Sequence, residues 1–338
     1  MTTYADRKPI LAQIEAARGS KAIMYVTGDR PGMETQVSPE VGDIFVDHLD
    51  AMWEAAPPIK KLSLILHTKG GDTAAAWQII NLLRTFCDDL EVIVPFRALS
   101  AGTLISLGAN RIVMTKQASL GPIDPSLNHP VGPLVPGGVL NQTVPVSVEA
   151  VQGYLDVVKD QLKVGDAAAL ANVWNNLSDK IHPLVLGQIF RARSQIRTLA
   201  KRLLNYQDLD DAKKEEIISF LCSESGSHDH TINRREAKIM GLTIEHPSAD
   251  LYSTIRALHT SVAEDLKLSS PYSPDTELGQ QQVLNYSLSR ALIETVDFGS
   301  HQFISEGILA RVAVQWPNGM QQTGMQDSRT FEAWRKVA

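Results

Sequence analysis

At 338 residues the chain has room for about two domains, taking roughly 150 residues for each. Its composition, 43% hydrophobic and 21% charged with 22 Gly and 17 Pro, excludes the collagenous and disordered classes. With 32 basic against 38 acidic residues the net charge is −6, so no global attraction to nucleic acid or to an anionic membrane is expected. Cys87 and Cys222 are too few and too far apart for a zinc ribbon or a disulfide framework, and fit a reducing compartment as buried thiols. Residues Met1 to Ile10 are polar and no run of about 18 apolar residues occurs anywhere, so a cytoplasmic protein with no membrane span is expected.

Short β-branched runs predict strands at Ala22 to Val26, Leu62 to His67, Glu91 to Phe96 and Arg111 to Met114. Helices are predicted between them, at Pro39 to Ala55, Thr73 to Cys87 and Ala101 to Leu107. This alternation predicts an α/β fold of repeated β-α units with a largely parallel sheet. From Gly121 to Pro145 the chain turns rich in Pro, Gly and Asn (Pro122, Pro125, Pro130, Pro133, Pro136, Gly137, Gly138) and reads as a long irregular segment. Helices follow at Val148 to Lys163, Asp166 to Asn176, Pro183 to Tyr206 and Asp211 to Cys222, with Pro183 placed at a helix start. The helix Asn233 to Met240 is expected to stop at Gly241, and Leu242 to Ile244 reads as a strand. Past His246 the periodicity weakens. Leu309 to Trp316 and Met320 to Met325 predict a hairpin turned by Pro317-Asn318-Gly319. The domain expectation is therefore residues 1–247 as one domain and 248–338 as a small C-terminal module.

Two strand-to-helix junctions carry small residues where chemistry could sit. In His67-Thr68-Lys69-Gly70-Gly71-Asp72 the two glycines allow close backbone approach and leave N–H groups available at the next helix start, which suits an anion. The spacing is not that of a phosphate loop. In Leu99-Ser100-Ala101-Gly102-Thr103 a serine stands at a helix N-terminus among small neighbours, which suits a nucleophile as well as an ordinary N-cap.

The order of these junctions resembles the ClpP/crotonase superfamily and, within it, the prokaryotic serine dehydrogenase proteinase family related to signal peptide peptidase A. The resemblance continues through Ile112-Val113-Met114, Leu120-Gly121-Pro122-Ile123-Asp124-Pro125 and His228-Asp229 to Glu236-Ala237-Lys238-Ile239-Met240-Gly241-Leu242, spanning roughly Ala22 to Glu245. It implies a ClpP/crotonase-like repeated β-β-α superhelix with a helical extension, and a cytoplasmic serine endopeptidase acting on peptides or unfolded protein. Ser100 would be the nucleophile, with the N–H groups of Gly70 or Gly71 and of Ala101 as the oxyanion hole. It also implies a homo-oligomer, with Val148 to Tyr206 as the natural interface, and no cofactor. Lys69 departs from the proline common before the two glycines, a change expected to affect loop stiffness more than chemistry.

The base is the point at which this chain leaves the pattern. Pro122 occupies the place of the ClpP-type histidine, and Ser147-Val148-Glu149 stands where peptidase A relatives carry a lysine. Asp229 falls where the ClpP-type acid is expected, so His228 with Asp229 is the first assignment for base and orienting acid, with His230, His129, Lys159 and Lys163 as alternatives. If none reaches Ser100, the chain is a catalytically inactive scaffold or sensor of the same fold that binds a protein partner. A third reading is an acyl-CoA enzyme, which Ser100 argues against. Arg191, Arg193, Arg197, Lys201 and Arg202 could form a basic stripe, but no stacking aromatic set accompanies them, and a solvated or subunit-facing helix is expected. Asp43, Asp47 and His48 are expected at the surface, and no metal site is predicted.

Overall fold

The computed structural model describes residues 3–123, 126–127, 129–135, 143–224, 230–315 and 321–338. It divides into two compact units, one of Met1–Leu120 with Ile232–Ala338 and one of Gly121–Thr231.

The first unit opens with helix α1 (Tyr4–Arg18), absent from the expected elements because Pro9 interrupts a polar stretch; it buries Arg7, Leu11 and Ile14. Then come β1 (Lys21–Thr27), α2 (Gly42–Ala55), β2 (Lys61–His67), α3 (Thr73–Phe86), β3 (Asp89–Val94), the two-residue β4 (Arg97–Ala98), α4 (Ala101–Leu107), β5 (Arg111–Met114) and β6 (Ser119–Leu120). The longer strands follow the expected spans to within about two residues at each end, because uninterrupted runs such as Leu62-Ser63-Leu64-Ile65-Leu66 are buried on both faces.

The second unit holds β7 (Ser126–Leu127), β8 (Val146–Ser147), α5 (Val148–Asp156), α6 (Ala167–Lys180), α7 (Pro183–Leu203) and α8 (Asp211–Ser219). Its apolar cluster joins Val148 and Val151 of α5 to Val185, Leu186 and Ile189 of α7. The expected helix from 148 loses its regular α-form after Asp156, passing into a wider turn over Val157–Gln161.

The chain then re-enters the first unit with β9 (Ile232–Asn233), α9 (Arg234–Met240), β10 (Ile244–Glu245), α10 (Ala249–Asp265), α11 (Pro274–Leu278), β11 (Val283–Thr295), β12 (Gly299–Gln315) and β13 (Gln321–Lys336). Gly241 caps α9 in a left-handed conformation, φ 105°, as glycine permits there. The hairpin pairs Gln315 with Gln321, while its turn, Pro317-Asn318-Gly319, lies outside the described residues, as do Asp124, Pro125, Pro136, Gly137 and Gly138.

The main sheet has the order β10-β5-β3-β2-β1-β11-β12-β13, parallel from β10 to β1 and antiparallel from there on. β11 pairs with β1 from Ile23↔Thr295 to Thr27↔Ala291, so residues beyond 247 continue the sheet of the N-terminal part. The boundary expected at 247/248 thus falls inside a unit, and the other division of the chain brackets residues 121–231. A second, short ladder joins Thr68 to Ala98, β4 to β6 and β6 to β9, which gives successive β-β-α units.

Two layers cover the main sheet. Leu11 and Ile14 of α1 and Leu251, Ile255, Leu258 and Val262 of α10 meet Met24, Ile65, Ile93 and Val113 on one face. Strand alternation sends Leu64, Leu66, Val92 and Ile112 to the opposite face, served by α2, α3 and α4. Among the described residues no helix is long and apolar enough to cross a membrane.

Candidate active site

Thr68 follows β2 and Ala98 lies on β4, and the two are locked together: Thr68 N–H donates to the Arg97 carbonyl at 3.0 Å and Leu99 N–H to the Thr68 carbonyl at 3.0 Å. This pairing brings the diglycine junction against the serine junction. A methyl group on Gly70 would lie 2.7 Å from the Ser100 Cβ and 3.2 Å from the Ala101 nitrogen, closer than real side chains come. Gly102 does the same for Thr68, whose Cγ2 would be 2.4 Å from an added methyl. Glycine at 70 and 102 is therefore the condition for the two loops to touch.

Ser100 occupies the N-cap position of α4, but its side chain makes no capping hydrogen bond. Its backbone sits at φ 52°, ψ −113°, a conformation that costs a non-glycine residue about 1–3 kcal/mol. An ordinary serine cap has extended backbone and a hydroxyl turned onto the helix N–H groups. Asp72 behaves in that way on α3, with φ −68°, ψ 126° and its carboxylate accepting from Ala75 N–H at 2.7 Å. The half-buried Ser100 hydroxyl is thus held at a strained corner, with no hydrogen-bond partner among the described residues.

The amides nearby divide into used and unused. Gly70 N–H donates to Thr68 Oγ1 at 2.9 Å, and that hydroxyl also accepts from Thr27 Oγ1 at 2.6 Å. The Gly70 carbonyl accepts from Val37 N–H and the Val37 carbonyl from Asp72 N–H, flanking Gly71. Among the described residues Gly71 N–H and Ala101 N–H have no acceptor. Gly71 holds φ 148° with a would-be Cβ 2.4 Å from the Val37 carbonyl oxygen, so glycine is required there as well.

His228 and Asp229, the first assignment for base and acid, lie outside the described residues. The alternatives belong to the second unit: His129 Nδ1 accepts from Val131 N–H at 3.2 Å, His230 sets its ring edge-on to Phe220, and Lys159 and Lys163 are exposed. Asn233 caps α9, accepting from the N–H groups of Arg235 and Glu236.

His48 corrects an expectation. The sequence places it at the surface with Asp43 and Asp47, which are exposed, yet it is fully buried. Its Nδ1 lies 2.8 Å from Thr295 Oγ1 and its Nε2 3.0 Å from His301 Nδ1. Burial, reinforced by His301 and Lys336, pushes the His48 pKa down to about 3. The residues that bury it come from β11 and β12, far along the chain, so local spacing carried no signal. Cys87 and Cys222 are buried and not joined in a disulfide. On α7, Arg197 and Lys201 share Glu215 at 3.3 and 2.9 Å, so that part of the basic stripe is neutralised within its own unit.

Residues 2–143 match the family of ClpP-like SDH-type serine proteinases. The chain is 32% identical over 193 residues to an uncharacterised protein of Methanocaldococcus jannaschii, covering 56% of each sequence. It is 41% identical over 73 residues to a second uncharacterised protein of that organism, covering 22% of this chain and 25% of the relative. The chain thus spans about half of the first curated relative's length and a quarter of the second's. Solved structures similar to it include a 1510-N membrane-bound stomatin-specific protease in complex with a substrate peptide, at 15% identity and TM-score 0.39, covering 64% of this chain and 73% of that one. ClpP1 from Listeria monocytogenes aligns at 13% identity and TM-score 0.37, covering 71% and 99%.

Proposed function

From the match of residues 2–143 to the family of ClpP-like SDH-type serine proteinases, we propose that the chain is a serine peptidase in which Ser100 attacks the peptide carbonyl. One observation carries this reading: Ser100 sits in strained backbone with an uncommitted hydroxyl, in contact with a diglycine loop, where a capping serine would be relaxed and hydrogen-bonded.

As Ser100 Oγ adds to the carbonyl carbon, negative charge collects on the carbonyl oxygen. Two uncommitted main-chain donors, Gly71 N–H and Ala101 N–H, are the hole we assign to it. Gly70, whose N–H is held by Thr68, acts as the spacer that admits Ser100. Each donor of this kind supplies about 3 kcal/mol of transition-state stabilisation, because it is fixed before the charge develops. The hydroxyl proton passes to the base and then to the departing amine, leaving an acyl-enzyme that water hydrolyses by the same route. We assign the base to His228, oriented by Asp229, on sequence position.

Self-assembly belongs to the same proposal. Helices α5 to α7 leave Tyr154, Trp174, Leu184 and Phe190 exposed, apolar area that a second subunit would cover. Size-exclusion with light scattering tests this. Labelling with a fluorophosphonate, with Ser100→Ala and His228→Ala as controls, tests the chemistry: Ser100 is labelled in the parent, loss of the hydroxyl abolishes the reaction, and loss of His228 slows it by about 100-fold or more.

A further inference from the structure

At the carboxyl end of β2 the side chains of Thr68 and His67 point to opposite faces of the sheet. Thr68 meets Gly102 of α4. His67 meets α10, where it joins a cluster that the peptidase reading does not use. Asp29, just past β1, lies 3.4 Å from His67 Nε2 and 3.2 Å from Arg97 Nη1. His67 Nδ1 lies 3.2 Å from His259 Nε2. Phe96 stacks against both imidazoles and carries the Arg97 guanidinium 4.5 Å over its ring. The cluster borders a cavity of about 360 Å³, closed on its apolar side by Pro31, Ala263 and Leu268 and reached by the exposed Lys69.

Ionised Asp29 can only accept, so His67 Nε2 carries a proton facing it. The second nitrogen of His67 shares one hydrogen bond with His259 Nε2. Arg97 spends one of its nitrogens on Asp29, and Lys69 has no ion-pair partner among the described residues. The charges facing His259 are Asp29 after β1, His67 and Lys69 at the end of β2, and Arg97 on β4. Asp29 and Arg97 cancel, so the ammonium of Lys69 is in excess.

We propose that this cavity binds a small oxyanion, a carboxylate or a phosphate group, held by Lys69 Nζ and the remaining Arg97 N–H groups, with His259 taking one proton from solvent as the anion enters. With that proton the pocket gains a third positive charge. Burial and the neighbouring His67 keep free His259 neutral, its pKa lowered to about 4. An anion within about 5 Å raises such a group by about two units, so binding tightens about tenfold between roughly pH 8 and pH 5. The site stands apart from Ser100 chemistry and its test does not depend on it.

The test is NMR of the full chain with carbon-13 labelled histidine, titrated with sulfate or with formate, both of which stay ionised across this range. The expected result is an upward move of the His259 titration on saturation. Lys69→Met, at an exposed position, should weaken binding about fivefold at either pH. His259→Gln should leave binding without its pH dependence. A larger response to sulfate identifies a phosphate-type ligand, and a larger response to formate a carboxylate. A His259 titration unmoved by both anions, or Lys69→Met binding as the parent does, overturns the proposal.

Discussion

The two faces of the sheet are built differently where they meet the carboxyl edge of β2 and β3. On the α3 and α4 face the contacts are backbone against backbone, made possible by Gly70, Gly71 and Gly102, and the groups left over are amides and one hydroxyl. On the α1 and α10 face the contacts are between charged and aromatic side chains. Arg7 is fully buried with Glu294 at 2.6 Å and Asp265 at 2.8 Å, and His67 and His259 are stacked under Phe96. Contacts built from the main chain tolerate no added carbon and carry no titrating group of their own, whereas those built from buried ionisable groups respond to both charge and protons.

The largest expected effect is on the charged face. Arg7→Ala leaves the Glu294 carboxylate buried without its cation, and unfolding in urea should show a loss of about 3–5 kcal/mol. A loss below about 1 kcal/mol would mean that α1 is not anchored to β11 and α10 by this pair. Acid should act on this face through His259 of α10, and on the opposite face through His48 of α2. Burial holds His48 at a pKa of about 3 and His259 at about 4, so both are neutral in the folded chain near neutral pH. Their unfolded forms titrate near 6.5, hence the unfolded state takes up protons first as pH falls. From about pH 7 to about pH 5 each should cost about 2 kcal/mol of stability, measurable as a fall in the urea midpoint. Asp29 and Glu91, whose pKa values are lowered, add to the loss only below about pH 4.

The backbone face should break by addition of atoms. Gly71→Ala drives a methyl onto Val37 N and O at 2.5 and 2.4 Å, and should cost about 1–3 kcal/mol in a thermal melt while slowing fluorophosphonate labelling by about 100-fold. Lys69→Met, two residues away but facing the cavity, should leave labelling unchanged. The smallest effect sharpens the strain argument: Ser100→Gly should raise stability by about 1 kcal/mol, since glycine accepts φ 52° at little cost, and abolish labelling. A destabilised Ser100→Gly chain would show that the corner is not strained.

These differences also explain what the sequence disclosed. The β-α alternation of residues 21–114 was readable because buried parallel strands are continuous apolar runs and their helices keep one stripe. Helix α10 was not read, although Leu251, Ile255, Leu258 and Val262 fall on one face at helical spacing and Pro247 with the N-cap Ser248 marks its start. β12 and β13 showed only as a hairpin tip, because the strands nearest the sheet edge are polar along much of their length. The two glycines and Ser100 were legible as small residues in order, but the distinction between a capping serine and a strained one is a matter of φ and an absent hydrogen bond. The His67–His259 and His48–His301 pairs bridge 192 and 253 residues, and local patterning cannot announce a contact at that separation.

The central claim is that the serine at the glycine corner is an activated nucleophile. Intact-mass spectrometry after reaction with a fluorophosphonate tests it most directly. The account predicts a single adduct, mapped by peptide digestion to Ser100 and absent from Ser100→Ala. An unmodified chain whose fold is intact by circular dichroism, or an adduct on another residue, would contradict it.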